Sequence, residues 1–218
     1  GVEESQFYSA MYHSMLVPRA FSDSNGDFLS FSDGHKRRKH ENTHTEGHDF
    51  YTDFSAWDTF RSLHPLLTLI SPEKSVDMVR SIIYMGLQND EGLPKFPTWN
   101  TGTTAMIGDH CTVILADAIH KGLLNHSQSL ARKGVDLVLQ ARMLTHGNRS
   151  LTQPGLLEYI RNGYISSDTK VKQHVSTTIE YSFNDAIAAG MAASHGFKAN
   201  AFILKRRSRN FLNLFNKN

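Results

Sequence analysis

The chain has 218 residues, with 23 Lys and Arg against 21 Asp and Glu, a net charge of +2 and 39% apolar residues. That length supports one domain with a real core, or part of a larger one. The small basic excess gives no broad field for nucleic acid, no run approaches the ~18 apolar residues of a bilayer-spanning helix, and Cys111 alone excludes an internal disulfide.

Helical periodicity dominates the pattern. Residues Ser5 to Val17 carry Phe7, Met11, Met15 and Leu16 on one side and stop at Pro18, which predicts an entry helix within residues 1–19. From 20 to 54 the texture changes to Ser, Asp, Gly and His, with Asn25-Gly26 as a turn, which predicts a short hairpin followed by a long ordered loop. Helices are then predicted over Ser55–Ile70, Pro72–Asn89, Ile107–Gly122, His126–Leu144, Gly155–Arg161, Thr177–His195 and Asn200–Phe215, with an Asp90–Asn100 loop holding Pro94 and Pro97. In the helix from Thr177, the residues Ile179, Phe183, Ile187 and Met191 recur every four positions, the stripe of a buried face. The rhythm of helix, short loop and helix predicts stacked antiparallel hairpins, as in an α/α toroid.

Two helices open alike. Ser55-Ala56-Trp57-Asp58 and Thr177-Thr178-Ile179-Glu180 both place an acid three residues after a hydroxyl, the pattern of a capping box. The alternative comes from topology. If inner and outer helices alternate, and the short helix near Gly155 lies outside the alternation, the helices near Ser55, Ile107 and Thr177 are all inner. Their N-termini then share one rim, which gathers Trp57, Asp58, Asp109, His110 and Glu180. An aromatic, carboxylates and an imidazole around a concave mouth are the materials of a carbohydrate site. Asp109-His110 reads equally as an acid–base pair or as a helix-start cap. Cys111 leads into an apolar helix and reads as a packed, inert thiol.

The residues that resemble a known family run in order through nearly the whole chain. They include Phe7–Leu16 and Pro18-Arg19, then Tyr51–Leu69 with Trp57-Asp58-Thr59 and His64-Pro65-Leu66-Leu67. Gly92-Leu93-Pro94-Lys95-Phe96-Pro97, Met106-Ile107-Gly108-Asp109-His110, Ala116–Gly122, Gly163-Tyr164-Ile165, Val175–Tyr181 and Arg207–Phe215 follow. Together they resemble glycoside hydrolase family 92, calcium-dependent exo-α-mannosidases that invert the anomeric centre.

The resemblance implies that residues 1–218 are the first part of an (α/α)6 catalytic domain, with an N-terminal β-sandwich and the rest of the barrel absent. The opening Gly-Val-Glu-Glu and the end at Lys217-Asn218 fit a segment of something longer. By position, Trp57 and Asp58 match residues lining the terminal-mannose pocket, and Glu180 matches the general acid. The family's base carboxylates and the calcium ligands fall outside this stretch, so the resemblance implies a chain that does not turn over alone. The ion would hold adjacent mannose hydroxyls as a hard, oxygen-seeking cation.

Asn184 and Ala186 depart from the family's Asp and Trp, and Phe96 from its Trp. They predict a less perturbed acid with thinner packing behind it, which keeps open a non-catalytic, mannoside-binding relative. A third reading is a toroid enzyme acting on another sugar. The partner expected is a mannose-terminated glycan. The acceptor patterns Asn125-His126-Ser127 and Asn148-Arg149-Ser150 point to a secreted or secretory-pathway protein. The histidines from His35 to His48 raise a metal site, but the Lys and Arg between them favour a solvated loop, and the run Lys205–Arg209 reads as a solvated helix face.

Overall fold

The computed structural model describes residues 1–31, 37–39, 48–144 and 153–215. The entry helix α1 (Val2–Ser14) begins earlier than its apolar residues predict, and none of its side chains is buried. Strand β1 (Arg19–Ala20) pairs antiparallel with β4 (Tyr51–Thr52), and between them β2 (Asp27–Leu29) pairs with β3 (Arg37–Lys39). The expected hairpin is therefore nested inside a second pairing. Of the histidine-rich loop, His35, His40 and His44 lie outside the described residues, and His48 Nδ1 contacts Asp77 Oδ1 at 2.8 Å.

The predicted helix Ser55–Ile70 is broken in two, α2 (Ala56–Thr59) and α3 (Leu63–Ile70). After α4 (Pro72–Gln88), which starts with Pro at its first position as Pro prefers, the predicted loop folds into a hairpin of β5 (Phe96–Thr98) and β6 (Thr101–Thr103). Then come α5 (His110–His120), α6 (Gln128–Met143), α7 (Leu156–Asn162), α8 (His174–Ser194), α9 (Lys198–Arg207) and a 3-10 turn at Asn210–Leu214.

The helices make two layers. α3, α5 and α8 pack side by side as the inner layer, and α4, α6 and α9 stand behind them as the outer one, while α7 leans on α8 outside the alternation. This is the arc of an α/α toroid that the sequence pattern predicts. α5 is buried from His110 to Ala116 without a polar face, as an inner helix must be. α4 and α6 approach closely at Gly86, where an added Cβ would lie 2.9 Å from Leu137 Cδ1. Such contacts carry the large cluster from Phe28 to Leu204, whose burial is the main stabilising term.

The stripe predicted on α8 is a correction. Ile179 and Phe183 are exposed, while Ile187 and Met191 of the same stripe do pack into the core, and the buried face continues through Tyr181, Ser182, Asn184, Asp185, Ala188, Ala189 and Ala192. The four-residue repeat is real, but the packed face is polar and small because it encloses an ion cluster. Asp185 accepts from Arg142 Nε at 2.8 Å and from Arg207 Nε and Nη2 at 2.7 Å each, and Tyr159 donates its hydroxyl at 3.0 Å. One fully buried carboxylate thus ties α6, α7, α8 and α9 together.

Breaking such a pair leaves charge buried without a partner, at a cost of about 3–5 kcal/mol. Asp185→Asn should lower the urea unfolding free energy by about that much, and a loss under about 1 kcal/mol would show that the cluster is not holding the layers.

Candidate active site

The inner helices end at a common mouth, and Glu180 sits in it on α8. Helix α8 begins at His174, earlier than predicted, so Glu180 lies in the second turn and Thr177 is not its cap. Ser55, at the start of α2, has a left-handed backbone (φ 44°) and makes no side-chain cap either. Neither capping box forms. Glu180 is therefore free of both the capping bond and most of the helix-end field, which fades beyond the first turn.

Its carboxylate is instead ringed by three side chains. Trp57 Nε1 donates to Oε1 at 3.3 Å, Arg61 Nη2 lies 3.7 Å from the same oxygen, and His110 Nε2 lies 3.2 Å from Oε2. The His110 contact is too poorly aligned to count as a well-formed hydrogen bond. The ring around these groups is aromatic. His110 stacks on Phe60 with centroids 4.3 Å apart and planes 2° apart, and the Arg61 guanidinium lies 4.7 Å over both Trp57 and Phe60.

Burial alone would raise the Glu180 pKa, but the His110 imidazole, the Trp57 N–H and the Arg61 charge outweigh it and hold the carboxyl below its usual range. Gly108 makes room for this arrangement. Its φ is +78°, and a Cβ there would stand 2.6 Å from His110 Nε2 and 3.2 Å from Glu180 Cβ.

The other expected residues divide. Asp58 neighbours Trp57 but is exposed, and its carboxylate makes no contact with Glu180 among the described residues. Asp109 is buried behind the mouth as the residue before α5, and it is neither a backbone cap nor a partner of His110. Its Oδ2 accepts from Gln153 Nε2 at 2.7 Å and Thr112 Oγ1 at 3.0 Å. The backbone N–H of Asp109 donates to Asn184 Oδ1 at 2.8 Å. Asn184 therefore anchors the turn that aims His110, rather than leaving a gap in charge beside Glu180. Ala186 is exposed on α8. Asp185, five residues after Glu180, is held by its two arginines.

Arg61 and Phe60 are the residues that sequence reasoning missed. Arg61 stands four positions after Trp57, a spacing that would have paired them on one helix face. From Phe60 and Arg61 a mainly apolar groove of about 420 Å³ runs along the inner helices past Val113, Phe183, Ile187 and Met191. His64, in the most specific stretch of the sequence, has a packing role: it is buried, parallel to Phe54, and burial lowers its pKa to about 4. Burial likewise pushes the Cys111 thiol well up, which keeps it inert. Among the described residues no three His, Cys, Asp or Glu side chains converge as a metal site requires. Calcium, with its six to eight oxygen ligands, is not accommodated by the residues around Glu180, whose neighbours are cationic or donors. No helix is long and apolar enough to cross a membrane among the described residues.

The catalytic-domain model of glycosyl hydrolase family 92 matches residues 2–218. Among solved structures, a family GH92 α-mannosidase from Bacteroides thetaiotaomicron in complex with mannoimidazole matches at TM-score 0.83 and 28% identity, covering 96% of this chain and 26% of that one. A family GH92 inverting mannosidase from Bacteroides thetaiotaomicron VPI-5482 matches at TM-score 0.81 and 29% identity, over 96% and 27%. A further glycosyl hydrolase of the family matches at TM-score 0.61 and 20% identity, over 93% and 23%, a likeness of fold alone. No curated protein matches. The chain thus spans about a quarter of the length of the solved enzymes it resembles.

Because the folded state depresses the Glu180 pKa, the charge on Glu180 stabilises the fold above its unfolded pKa, and that stabilisation is lost as pH falls through the folded value. Urea unfolding of the chain and of Glu180→Gln should show the wild type ahead near neutral pH and the gap closing in acid. A gap that widens in acid would mean that the carboxyl is raised, not lowered.

Proposed function

This chain belongs to glycosyl hydrolase family 92, and we propose from that membership and from the mouth around Glu180 that it forms part of an exo-α-mannosidase. Terminal mannose enters the mouth, Trp57 and Asp58 line its pocket, and Glu180 gives a proton to the departing glycosidic oxygen. The observation that carries this is the convergence of Trp57, Arg61 and His110 on one carboxylate at the shared end of the inner helices.

Inversion requires a second carboxylate about 6.5–9.5 Å away across a water. That base and the calcium ligands belong, in this proposal, to residues beyond these 218. Arg61 and His110 orient the carboxyl and exclude water from its inner side. Since these neighbours favour the ionised form, the acid role asks something of the substrate. Sugar in the mouth must strip solvent from Glu180 and shield it from Arg61, which raises its pKa toward the working pH. The exposed Asn125 of the Asn125-His126-Ser127 acceptor supports a secretory-pathway location.

The same ionised state favours a second reading, a relative that binds mannosides through Glu180 without hydrolysing them. Kinetics on the whole protein separate the two. Glu180→Gln should lower turnover of mannosides with poor leaving groups by about 10² to 10⁴ and spare activated aryl mannosides. Equal losses on both would make Glu180 a binding residue, and mannose binding with no turnover in the wild type would favour the second reading.

A further inference from the structure

The hairpin of β5 and β6 turns through Trp99 and Asn100, between Thr98 and its partner Thr101. Trp99 has φ +55°. In a two-residue hairpin loop that first central position with positive φ normally goes to Gly, Asn or Asp, because a Cβ is disfavoured there. A bulky residue held in it costs about 1–3 kcal/mol. Burial does not compensate, since the indole is 62% exposed. The backbone nonetheless fixes it. Asp53 Oδ1 accepts the Trp99 N–H at 3.0 Å, Thr52 Oγ1 donates to the Trp99 carbonyl, and Asn100 Nδ2 reaches the Ser30 carbonyl at 3.4 Å. Asp53 is itself pinned by Arg19 Nε at 2.7 Å. An exposed tryptophan is thus placed at a strained position and then made rigid by three separate segments.

The placement has a direction. β5 packs against α2, the helix that carries Trp57 into the mouth, and Asp53 leads directly into that helix. Beside the indole lies a cleft of about 220 Å³ lined by Ala20 and Phe21 as well as by Arg19, Thr52 and Asp53. A flat aromatic face with charged and hydroxyl groups at its edge suits a pyranose, whose C–H face stacks while its hydroxyls seek polar partners.

We propose that Trp99 and the Arg19–Asp53 pair form an outer sugar subsite, which stacks a saccharide unit on the leaving-group side of the terminal residue. The inference rests on the reading of the Glu180 mouth as a terminal-mannose pocket and adds to it a reason to prefer oligosaccharides over single sugars.

Fluorotryptophan labelling of the whole protein, with the two resonances assigned by Trp57→Phe and Trp99→Phe, gives one fluorine signal for each subsite. Mannose should move the Trp57 signal alone, and α-linked mannobiose or mannotriose should move both. Trp99→Gly relieves the turn, so its melting temperature should stay level or rise while mannotriose affinity drops about three- to ten-fold and mannose affinity does not. A lower melting temperature with unchanged mannotriose affinity would make Trp99 a structural residue and overturn the subsite. Movement of Trp57 with Trp99 silent for every glycan overturns it as well and leaves the mouth intact. Movement of Trp99 alone keeps the platform and removes the terminal pocket. Silence from both overturns the two together.

Discussion

Asp185 carries its charge where water does not reach, between Arg142 and Arg207, and its neighbour Asn184 faces the other way into the inner layer. Two adjacent residues on α8 therefore do different jobs. One fixes α8 to the outer helices α6 and α9, and the other holds the turn before α5 by its Asp109 N–H. Gln153 joins the two systems, accepting from Arg142 Nη1 at 3.1 Å and donating to Asp109. A buried ion cluster of this kind is a poor source of net stability compared with apolar packing, but removing one member is costly. Its effect is to leave α8 and α5 a single relative register. Glu180 and His110 stand 3.2 Å apart because that register is fixed.

The mouth then follows from small local facts. Gly108 leaves no side chain between His110 and Glu180. Phe60 supplies a flat surface for His110, and Arg61 folds back over Phe60 and Trp57 instead of extending into solvent. The resulting pocket offers its carboxylate one charged guanidinium, one imidazole and one indole N–H. An acid catalyst is usually arranged the other way, with apolar burial or a neighbouring negative charge to keep its proton. In this arrangement burial pulls up and the donors pull down, and the donors win. The charge of Arg61 is the most adjustable of these, since it lies farthest from Glu180 and is half exposed.

The sequence makes the layered arc legible because helix periodicity and short breaks are local signals, and inner and outer helices then alternate by topology alone. It also brings Trp57, His110 and Glu180 to one rim, since all three lie near the starts of inner helices. Two things are not legible. Helix starts are set by a residue or two of backbone geometry, so the true beginning at His174 is hidden by a Thr-x-x-Glu pattern that imitates a capping box. The facing of α8 is hidden because its buried side is polar. Periodicity weighs apolar residues, so Ile179 and Phe183 look like core while Asn184 and Asp185 look like surface. Asn184 shows the consequence most plainly: by sequence a lost charge, it is in the fold a buried amide holding a backbone N–H.

Strain is distributed unevenly over the chain. Asp53, Ser55, Trp99, Met106 and Gly108 all have positive φ, and all five lie in the segments β4–α2 and β5–α5 that border the mouth. Four of them carry side chains, each held in a conformation that L-residues avoid. Elsewhere positive φ falls mostly on glycine, as at Gly122, Gly163 and Gly196, with Leu144 after α6 and Gln173 before α8 as the exceptions among the described residues. The free energy that keeps the bordering residues strained must come from the packed helices behind them, where Phe54 and Ala56 are buried. A fold optimised for stability alone would relax these turns with glycine. Keeping Ser55 and Trp99 there goes with a fixed direction for Trp57 and the hairpin tip, held by the rigidity of the helical layers.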